Sequence, residues 1–216
     1  MWRSALNRML LAKPPGKEDN SGRFFCPGPF ELMGQPSPHP PAMLILAAFS
    51  RYDAALDWAR QRAVAAWGPI ARESSRFAFA ETDYYAPTMG ADLDKVFFAF
   101  QPPIDPANLV EIKLETNRWE EAYAATAKHP EPRPLNLDPG YLTPAKLVLA
   151  STKDYAHRIY LSGGIYAEIT LQYKHRCWLP HEYTFPDYRR PDYHRFFSEC
   201  RELVRGWKSG VAGDGL

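Results

Sequence analysis

The sequence has few cysteines and no long apolar segment. Its three cysteines form no CxxC pair, and any disulfide scheme leaves one of them over: Cys26, Cys177 and Cys200. That usage is typical of a protein in a reducing cytosol. No apolar run reaches the roughly 18 residues that a membrane-spanning helix needs. Residues 1–11 contain two arginines and precede no small-residue cleavage site, so they make a poor secretory signal. We therefore predict a cytoplasmic protein that does not contact a membrane.

The chain also has no large excess of charge of either sign. The formal net charge is +1 at pH 7, and the basic residues are scattered along the chain. This balance gives no electrostatic reason to expect nucleic acid as a partner. The chain also lacks the GxxxxGK[ST], GxGxxG, HExxH and GxSxG patterns of common nucleotide, metal and hydrolase sites. A nucleotide would have to be held by other means, and no cofactor can be named.

The composition indicates one domain with two unlike ends. Hydrophobic residues make up 45% of the chain, which is enough for a substantial core. Residues 1–41 hold eight of the 21 prolines, so we predict a disordered leader there, with Met33 as an alternative start of translation. Residues 42–208 are predicted to form a single α+β domain, and the glycine-rich residues 209–216 a flexible tail.

A β-hairpin is the firmest structural prediction. Residues 156–161 and 165–172 both have strand-like alternation and flank Ser162-Gly163-Gly164. A two-residue turn would mix charged and apolar side chains on both faces, whereas a three-residue loop separates them. The second register pairs Leu161 with Ile165, Ile159 with Ala167, His157 with Ile169, Tyr160 with Tyr166 and Arg158 with Glu168.

The remaining elements give the fold class. Periodicity and turn residues predict strands at 43–49, 76–82, 95–101 and 134–137, with helices after the first and third of them. A short helix capped by Thr143-Pro144, the hairpin and a closing helix from Pro191 follow. The first six elements match the ferredoxin-like βαββαβ pattern, an antiparallel sheet with helices on one face. Another α+β arrangement of the same strands is the alternative.

The first candidate site surrounds the start of the hairpin and comprises Lys153, Asp154, His157, Arg158 and Glu168. Lysine and arginine can hold a phosphate or carboxylate, while an aspartate or histidine can move a proton. A purely structural interpretation also exists. Arg158 and Glu168 would then form a cross-strand ion pair, and His157 would be a buried structural histidine.

The second candidate site is Asn136, Asp138 and Tyr141. The Asp138 carboxylate could accept a substrate hydroxyl or bind a metal. Aspartate before Pro-Gly more often begins a turn, and Asp138-Pro139-Gly140 has the residues that a type II turn prefers.

Two weaker patterns complete the search. An Asp-Tyr dipeptide recurs at irregular spacing, and convergence of several copies would line a pocket with acids and phenols: Asp83-Tyr84, Asp154-Tyr155, Asp187-Tyr188 and Asp192-Tyr193. Four potential zinc ligands match none of the usual spacings, so we predict no metal there: His175, Cys177, His181 and Cys200.

Several of these segments together resemble a family known as domain of unknown function 4416. The resemblance covers residues 42–206 and rests on residues 82–85, 89–90, 112–117, 136–142, 146–168 and 183–188. Its most specific part is the run NLDPGYLTPAKLVLASTKDYAHRIYL at 136–161. The resemblance implies no activity, because none is established for the family. Its motifs include both candidate sites and exclude His175, Cys177 and His181.

Two functional hypotheses follow. The first is a protein that binds a small anionic or nucleotide-like ligand; as a hydrolase or transferase it would use Asp138 or Asp154 as base and Lys153 to stabilise an anion. The ligand-binding residues would be Asn136, Tyr141, His157, Arg158 and Glu168. The second is a non-catalytic interaction module, homodimeric through a sheet face that carries Tyr160, Tyr166 and Thr170. The sequence alone does not decide whether the protein is an enzyme.

Overall fold

The computed structural model describes residues 39–79 and 85–207. Most of the predicted leader, including Met33, lies outside this range, and so do the predicted tail and the dipeptide Asp83-Tyr84. Within the described residues, no helix is long and apolar enough to cross a membrane.

The described residues form nine strands and four α-helices. The strands are β1 (Ala42–Ser50), β2 (Ile70–Glu73), β3 (Phe77–Phe79), β4 (Leu93–Ile104), β5 (Asn136–Leu142), β6 (Lys146–Ser151), β7 (Ile159–Ser162), β8 (Ile165–Lys174) and β9 (Cys177–Pro180). The helices are α1 (Asp53–Trp67), α2 (Ala86–Met89), α3 (Leu109–Ala124) and α4 (Pro191–Trp207). Short 3-10 turns at Pro106–Asn108 and Pro186–Arg189 precede α3 and α4.

All nine strands belong to one sheet in which neighbouring strands are antiparallel. The order is β2-β4-β1-β5-β6-β8-β7, with β3 also pairing with β4 and β9 with β8. This arrangement confirms the predicted α+β class with an antiparallel sheet. Strand β1 lies between β4 and β5, so the first strand of the chain becomes a central strand of the sheet.

Helices cover both faces of the sheet around β1. Leu44 and Leu46 belong to the cluster that includes α1 and α3, whereas Met43 and Ile45 belong to the cluster that includes α4. Successive side chains of a strand point to opposite faces. The helices of the predicted core, α1 and α3, therefore share one face, and the closing helix α4 lies on the other. A strand that is apolar on both faces needs cover on both.

The hairpin has the predicted pairing near its centre and a different turn. Ile159 pairs with Ala167 and Tyr160 with Tyr166, as predicted. The loop, however, is the two-residue turn Gly163-Gly164, where both φ angles are positive at 58° and 77°. An irregularity between Tyr160 and Ser162 then restores the register, because Ser162 rather than Leu161 lies opposite Ile165.

Two local predictions were wrong between residues 138 and 151. The short helix after Thr143 is absent, because residues 147–150 form an apolar run that is buried within β6, between β5 and β8. The expected type II turn is part of strand β5, and Gly140 lacks the positive φ of such a turn. The glycine is needed for close approach, because a Cβ at this position would lie 2.2 Å from the Val148 carbonyl oxygen.

The sheet is split between β5 and β6. These strands pair only through residues 140–142 and 147–149. The preceding residues of β5, 136–139, pair only with β1, and Ala150 and Ser151 of β6 pair only with β8. Pro139 has no backbone N–H to donate, which favours the end of pairing at this point. The split opens the sheet beside Asp138.

Candidate functional site

A cavity of about 410 Å³ opens at the split between β5 and β6. Residues of β4, β5, β6 and β8 line it, together with residues from α3 and from the loops around 153–158 and 185–188. Its charged lining residues are Lys95, Lys113, Arg133, Lys153, Arg158, Asp138, Glu168 and Asp187.

Asp138 lies beside the split and is held by two neighbours. Lys113 Nζ of α3 donates to the Leu137 carbonyl oxygen at 2.8 Å and to Asp138 Oδ1 at 3.3 Å. Asn136 Nδ2 donates to Asp138 Oδ2 at 2.9 Å. The Asp138 side chain keeps 30% of its surface exposed although the Lys113 side chain is buried. Asp138 therefore faces the cavity in a fixed orientation.

The pKa of Asp138 lies below its usual range. Burial alone would raise it, but Lys113, Lys95 and Arg133 together outweigh this effect, and the hydrogen bond from Asn136 adds to them. Asp138 is consequently a carboxylate at neutral pH.

Arg133 reaches the cavity with the support of Glu120. Its guanidinium donates to Glu120 Oε2 at 2.8 and 3.1 Å and to Asn136 Oδ1. Glu120 Oε1 in turn accepts from the Leu137 backbone N–H at 2.8 Å. Burial raises the pKa of Glu120 although Lys113 and Arg133 oppose the shift. Glu120 thus anchors Arg133 to β5 from behind the cavity lining.

A buried ion pair forms another wall. Lys95 Nζ lies 2.5 Å from Asp187 Oδ2, and both side chains are 4% exposed. The ammonium also lies 4.6 to 4.9 Å from the ring centroids of Phe49, Phe79 and Tyr188. Burial, followed by the Asp187 charge, raises the pKa of Tyr188 well above its usual value. A charged pair enclosed by rings is a rigid feature of the wall.

The hairpin side of the cavity is organised around Glu168. Arg158 Nε donates to Glu168 Oε2 at 2.9 Å, and Arg158 Nη1 donates to Ser151 Oγ at 2.6 Å. The His157 ring lies 3.1 Å from Glu168 and is stacked on Tyr183 at 4.2 Å. The predicted partnership of Arg158 and Glu168 is thus present, although Arg158 precedes the first residue of β7.

Lysines and arginines predominate among the charged residues that line the cavity. Five of the described lining residues are lysines or arginines, and three are carboxylic acids. Glu120 pairs with Arg133 from outside the lining. Lysine and arginine bind small anions through charge-assisted hydrogen bonds.

A known protein family matches most of the chain. The model of the family described as "Domain of unknown function (DUF4416)" matches residues 40–203. The chain belongs to DUF4416. No curated protein and no solved structure matches it. Every residue that lines the cavity lies within the DUF4416 match, so the site is part of the family domain.

Five of the eight predicted site residues line the cavity of this DUF4416 chain. They are Asn136, Asp138, Lys153, Arg158 and Glu168. The structure thus brings the two candidate sites together, because the β5–β6 split places the hairpin loop opposite the start of β5.

The other three predicted residues are not part of the lining. Tyr141 lies three residues after Asp138 on β5, so its side chain points to the opposite face of the sheet. It packs with Leu109 and Val148, and burial raises its pKa. Asp154 is exposed and accepts a hydrogen bond from Tyr166. His157 contacts Glu168 on the side of Tyr183, where residues 152–158 form a loop and not the predicted strand.

Sequence reasoning missed three charged residues of the site: Lys95, Lys113 and Arg133. Two of them interrupt apolar patterns. Lys95 precedes Phe97 and Ala99 at a spacing of two in β4, and Lys113 follows Leu109 by four residues on the buried stripe of α3. A lysine on a buried face is unusual and could have been flagged. The dipeptide Asp187-Tyr188 had been noted, and both of its residues line the cavity.

Histidines and cysteines near the C-terminal part of the sheet form no metal centre. Among residues 39–79 and 85–207, no three His, Cys, Asp or Glu side chains are grouped so that they could hold a metal ion.

Proposed function

We propose that the cavity binds a small anionic ligand. The observation that carries this proposal is the group of five lysines and arginines among the described residues that line one cavity. The volume of about 410 Å³ is in the range of small-molecule sites, which is roughly 300 to 1,000 Å³. Phosphate and carboxylate groups are the anions that lysine and arginine recognise best.

We further propose that the protein is a hydrolase or a transferase. Asp138 is its candidate base or nucleophile, and Lys153 its candidate anion stabiliser. The lowered pKa keeps Asp138 ionised but makes it a weaker base, because an efficient general base has a pKa near the working pH. Binding therefore ranks ahead of catalysis.

Thermal unfolding of the full chain tests the proposal with inorganic phosphate, sugar phosphates and small carboxylates. A ligand at 100 times its Kd stabilises by about 2.7 kcal/mol, and each kcal/mol moves the midpoint by roughly 2 to 4 °C. Lys153→Met should abolish most of the shift, because Lys153 is an exposed lysine of the lining. Lys174→Met is the matched control, since Lys174 is also exposed and lies outside the lining.

Two results would contradict the proposal. A panel without any midpoint shift would remove the evidence for an anion site. Equal shifts in the wild type and in Lys153→Met would show that the anion binds elsewhere.

A second candidate function is dimerisation, and strand β7 favours it. This strand ends the sheet and is exposed throughout, with Ile159 69% and Tyr160 57% exposed. Exposed edge strands pair readily with other chains. The sequence analysis predicted dimerisation through a sheet face that carries Thr170. Thr170 is fully buried, however, and its carbonyl oxygen accepts a hydrogen bond from Thr184. The edge therefore replaces that face in this proposal.

Light scattering tests this alternative. A dimer of the wild type that becomes a monomer in Ile159→Lys would support pairing through β7. The control is Lys174→Glu, another exposed substitution outside β7. A wild-type protein that stays monomeric when its concentration is raised about 100-fold would contradict the proposal, since mass action favours association at high concentration.

We also propose that the protein works in a reducing compartment. Cys177 is exposed and Cys200 buried, and both are free thiols in the structure. Burial raises the pKa of Cys200 to about 12, so its thiol stays protonated and unreactive. The unfolding midpoint should be the same with and without reductant, and a large drop on reduction would contradict this proposal.

A further inference from the structure

The mouth of the cavity carries two exposed aromatic rings. Tyr155 is 45% and Phe185 43% exposed, and both line the cavity. Ligand pockets are lined mainly by hydrophobic and aromatic side chains, so rings that are open to solvent at a cavity are available to contact a ligand. Tyr155 is also two residues from Lys153, so a ring and a lysine come from the same short loop.

A fixed guanidinium joins the two rings. The Arg158 guanidinium lies 4.5 Å from the Tyr155 ring centroid and 6.0 Å from that of Phe185. Hydrogen bonds to Glu168, Ser151 and the Lys153 carbonyl oxygen hold it in place. Aromatic rings and arginine planes are the surfaces on which proteins stack planar heterocycles.

We propose that the anionic ligand carries a planar ring, which stacks at the cavity mouth on Tyr155 and Phe185. The inference rests on the proposed function, because the anionic group of the same molecule would occupy the positively charged interior. Nucleoside monophosphates have this combination of ring and anion. The rings provide affinity through stacking, and the charges orient the molecule with its anionic end inward.

Calorimetric titration of the full chain separates the ring from the anion. The probes are the four common nucleoside 5′-monophosphates, ribose 5-phosphate and inorganic phosphate. We expect one or more of the monophosphates to bind about 5- to 140-fold more tightly than ribose 5-phosphate, which corresponds to 1 to 3 kcal/mol of stacking.

Three variants locate the ring. Tyr155→Leu and Phe185→Leu should each remove most of this advantage and leave the affinity for ribose 5-phosphate unchanged. Tyr160→Leu should change neither affinity, because Tyr160 is an exposed tyrosine outside the cavity. All three positions are exposed, so the unliganded unfolding midpoint should stay within about 2 °C.

The possible outcomes separate the two proposals. Equal affinity for ribose 5-phosphate and all monophosphates would overturn the ring site and leave the anion site intact. A preference for monophosphates that survives both leucine variants would also overturn it. No binding of any of these phosphates would overturn the ring site, and together with a panel of carboxylates that gives no midpoint shift it would overturn the anion site as well.

Discussion

Strands β1 and β7 belong to one sheet but have opposite surroundings. All nine residues of β1 are completely buried, between α1 and α3 on one face and α4 on the other. All four residues of β7 are exposed at the end of the sheet. The cavity lies between these extremes, at the split beside β5. The half of the sheet around β1 supplies the rigid core, and the half around β7 supplies surfaces that other molecules can reach.

The comparison also separates two kinds of ion pair. Lys95 and Asp187 are enclosed by rings next to β1, whereas Arg158 and Glu168 lie at the base of the hairpin that contains β7. Both pairs are buried, and the second is bordered by the exposed aromatic side chains of Tyr155 and Phe185. Substitutions near β1 should therefore affect stability first, and substitutions near β7 should affect binding first.

The largest effect is expected from Lys95→Met. Removing one partner of a buried pair leaves Asp187 as an uncompensated charge, which costs about 3 to 5 kcal/mol of the free energy of unfolding. Denaturant unfolding measures this loss. The double variant Lys95→Met with Asp187→Leu should recover much of it, because no buried charge remains. A single variant within about 1 kcal/mol of the wild type would contradict the prediction.

The next comparison is Leu46→Ala in β1 against Ile159→Ala in β7. Leu46 is completely buried, so its truncation should cost about 2 to 5 kcal/mol. Ile159 is 69% exposed, and its truncation should cost less than about 0.5 kcal/mol. Denaturant midpoints of both variants provide the test. Similar losses would show that β7 is covered in solution, as in a dimer.

Gly140→Ala should have an intermediate effect at the junction of the two halves. The added Cβ would lie 2.2 Å from a backbone oxygen of β6, which must move, so we expect a loss of about 1 to 3 kcal/mol. Gly206→Ala in α4 is the matched control. Nothing lies within 4 Å of its new Cβ, and alanine should stabilise the helix by about 0.5 to 1 kcal/mol. A neutral Gly140→Ala variant would mean that β6 does not approach β5 this closely.

The smallest effect concerns acid stability. A folded-state pKa below that of the unfolded chain stabilises the protein above the unfolded value, near 3.8 for aspartate, and this contribution is lost as the pH falls through the folded value. Wild type should therefore be more stable than Asp138→Asn at pH 7, and the difference should shrink below about pH 4. Unfolding at a series of pH values measures it. Asp57→Asn, at an exposed site on α1, should show no such trend.

The sequence predicted what depends on local periodicity. The antiparallel class, the closing helix from Pro191 and two central pairs of the hairpin follow from alternation and helix-start residues. The apolar run of β6 was misread as a helix, because a short apolar run does not distinguish the two states. Pro139-Gly140 was misread as a turn, because the residues that begin turns can also end strand pairing.

For the site, the sequence predicted residues that lie close together along the chain and missed residues that only the fold brings together. Lys153 and Arg158 lie in the loop just before the hairpin and Glu168 in its second strand, so their short separation along the chain could be read from the sequence. Lys95 and Lys113 come from distant elements, and only the sheet order brings them to Asp138. Their positions on apolar faces can be read from the sequence. Their place in the cavity depends on the split between β5 and β6, which no sequence pattern predicts.

At the split, the sheet lacks hydrogen bonds between β5 and β6 that a longer pairing of these strands would form. At Leu137, for example, the backbone N–H donates to Glu120 and the carbonyl oxygen accepts from Lys113, instead of either group bonding to β6. A chain that completed the ladder there would gain pairing and lose the cavity. Greater stability and an open cavity thus require opposite changes in the same few residues, and Pro139 has no backbone N–H with which to extend the pairing.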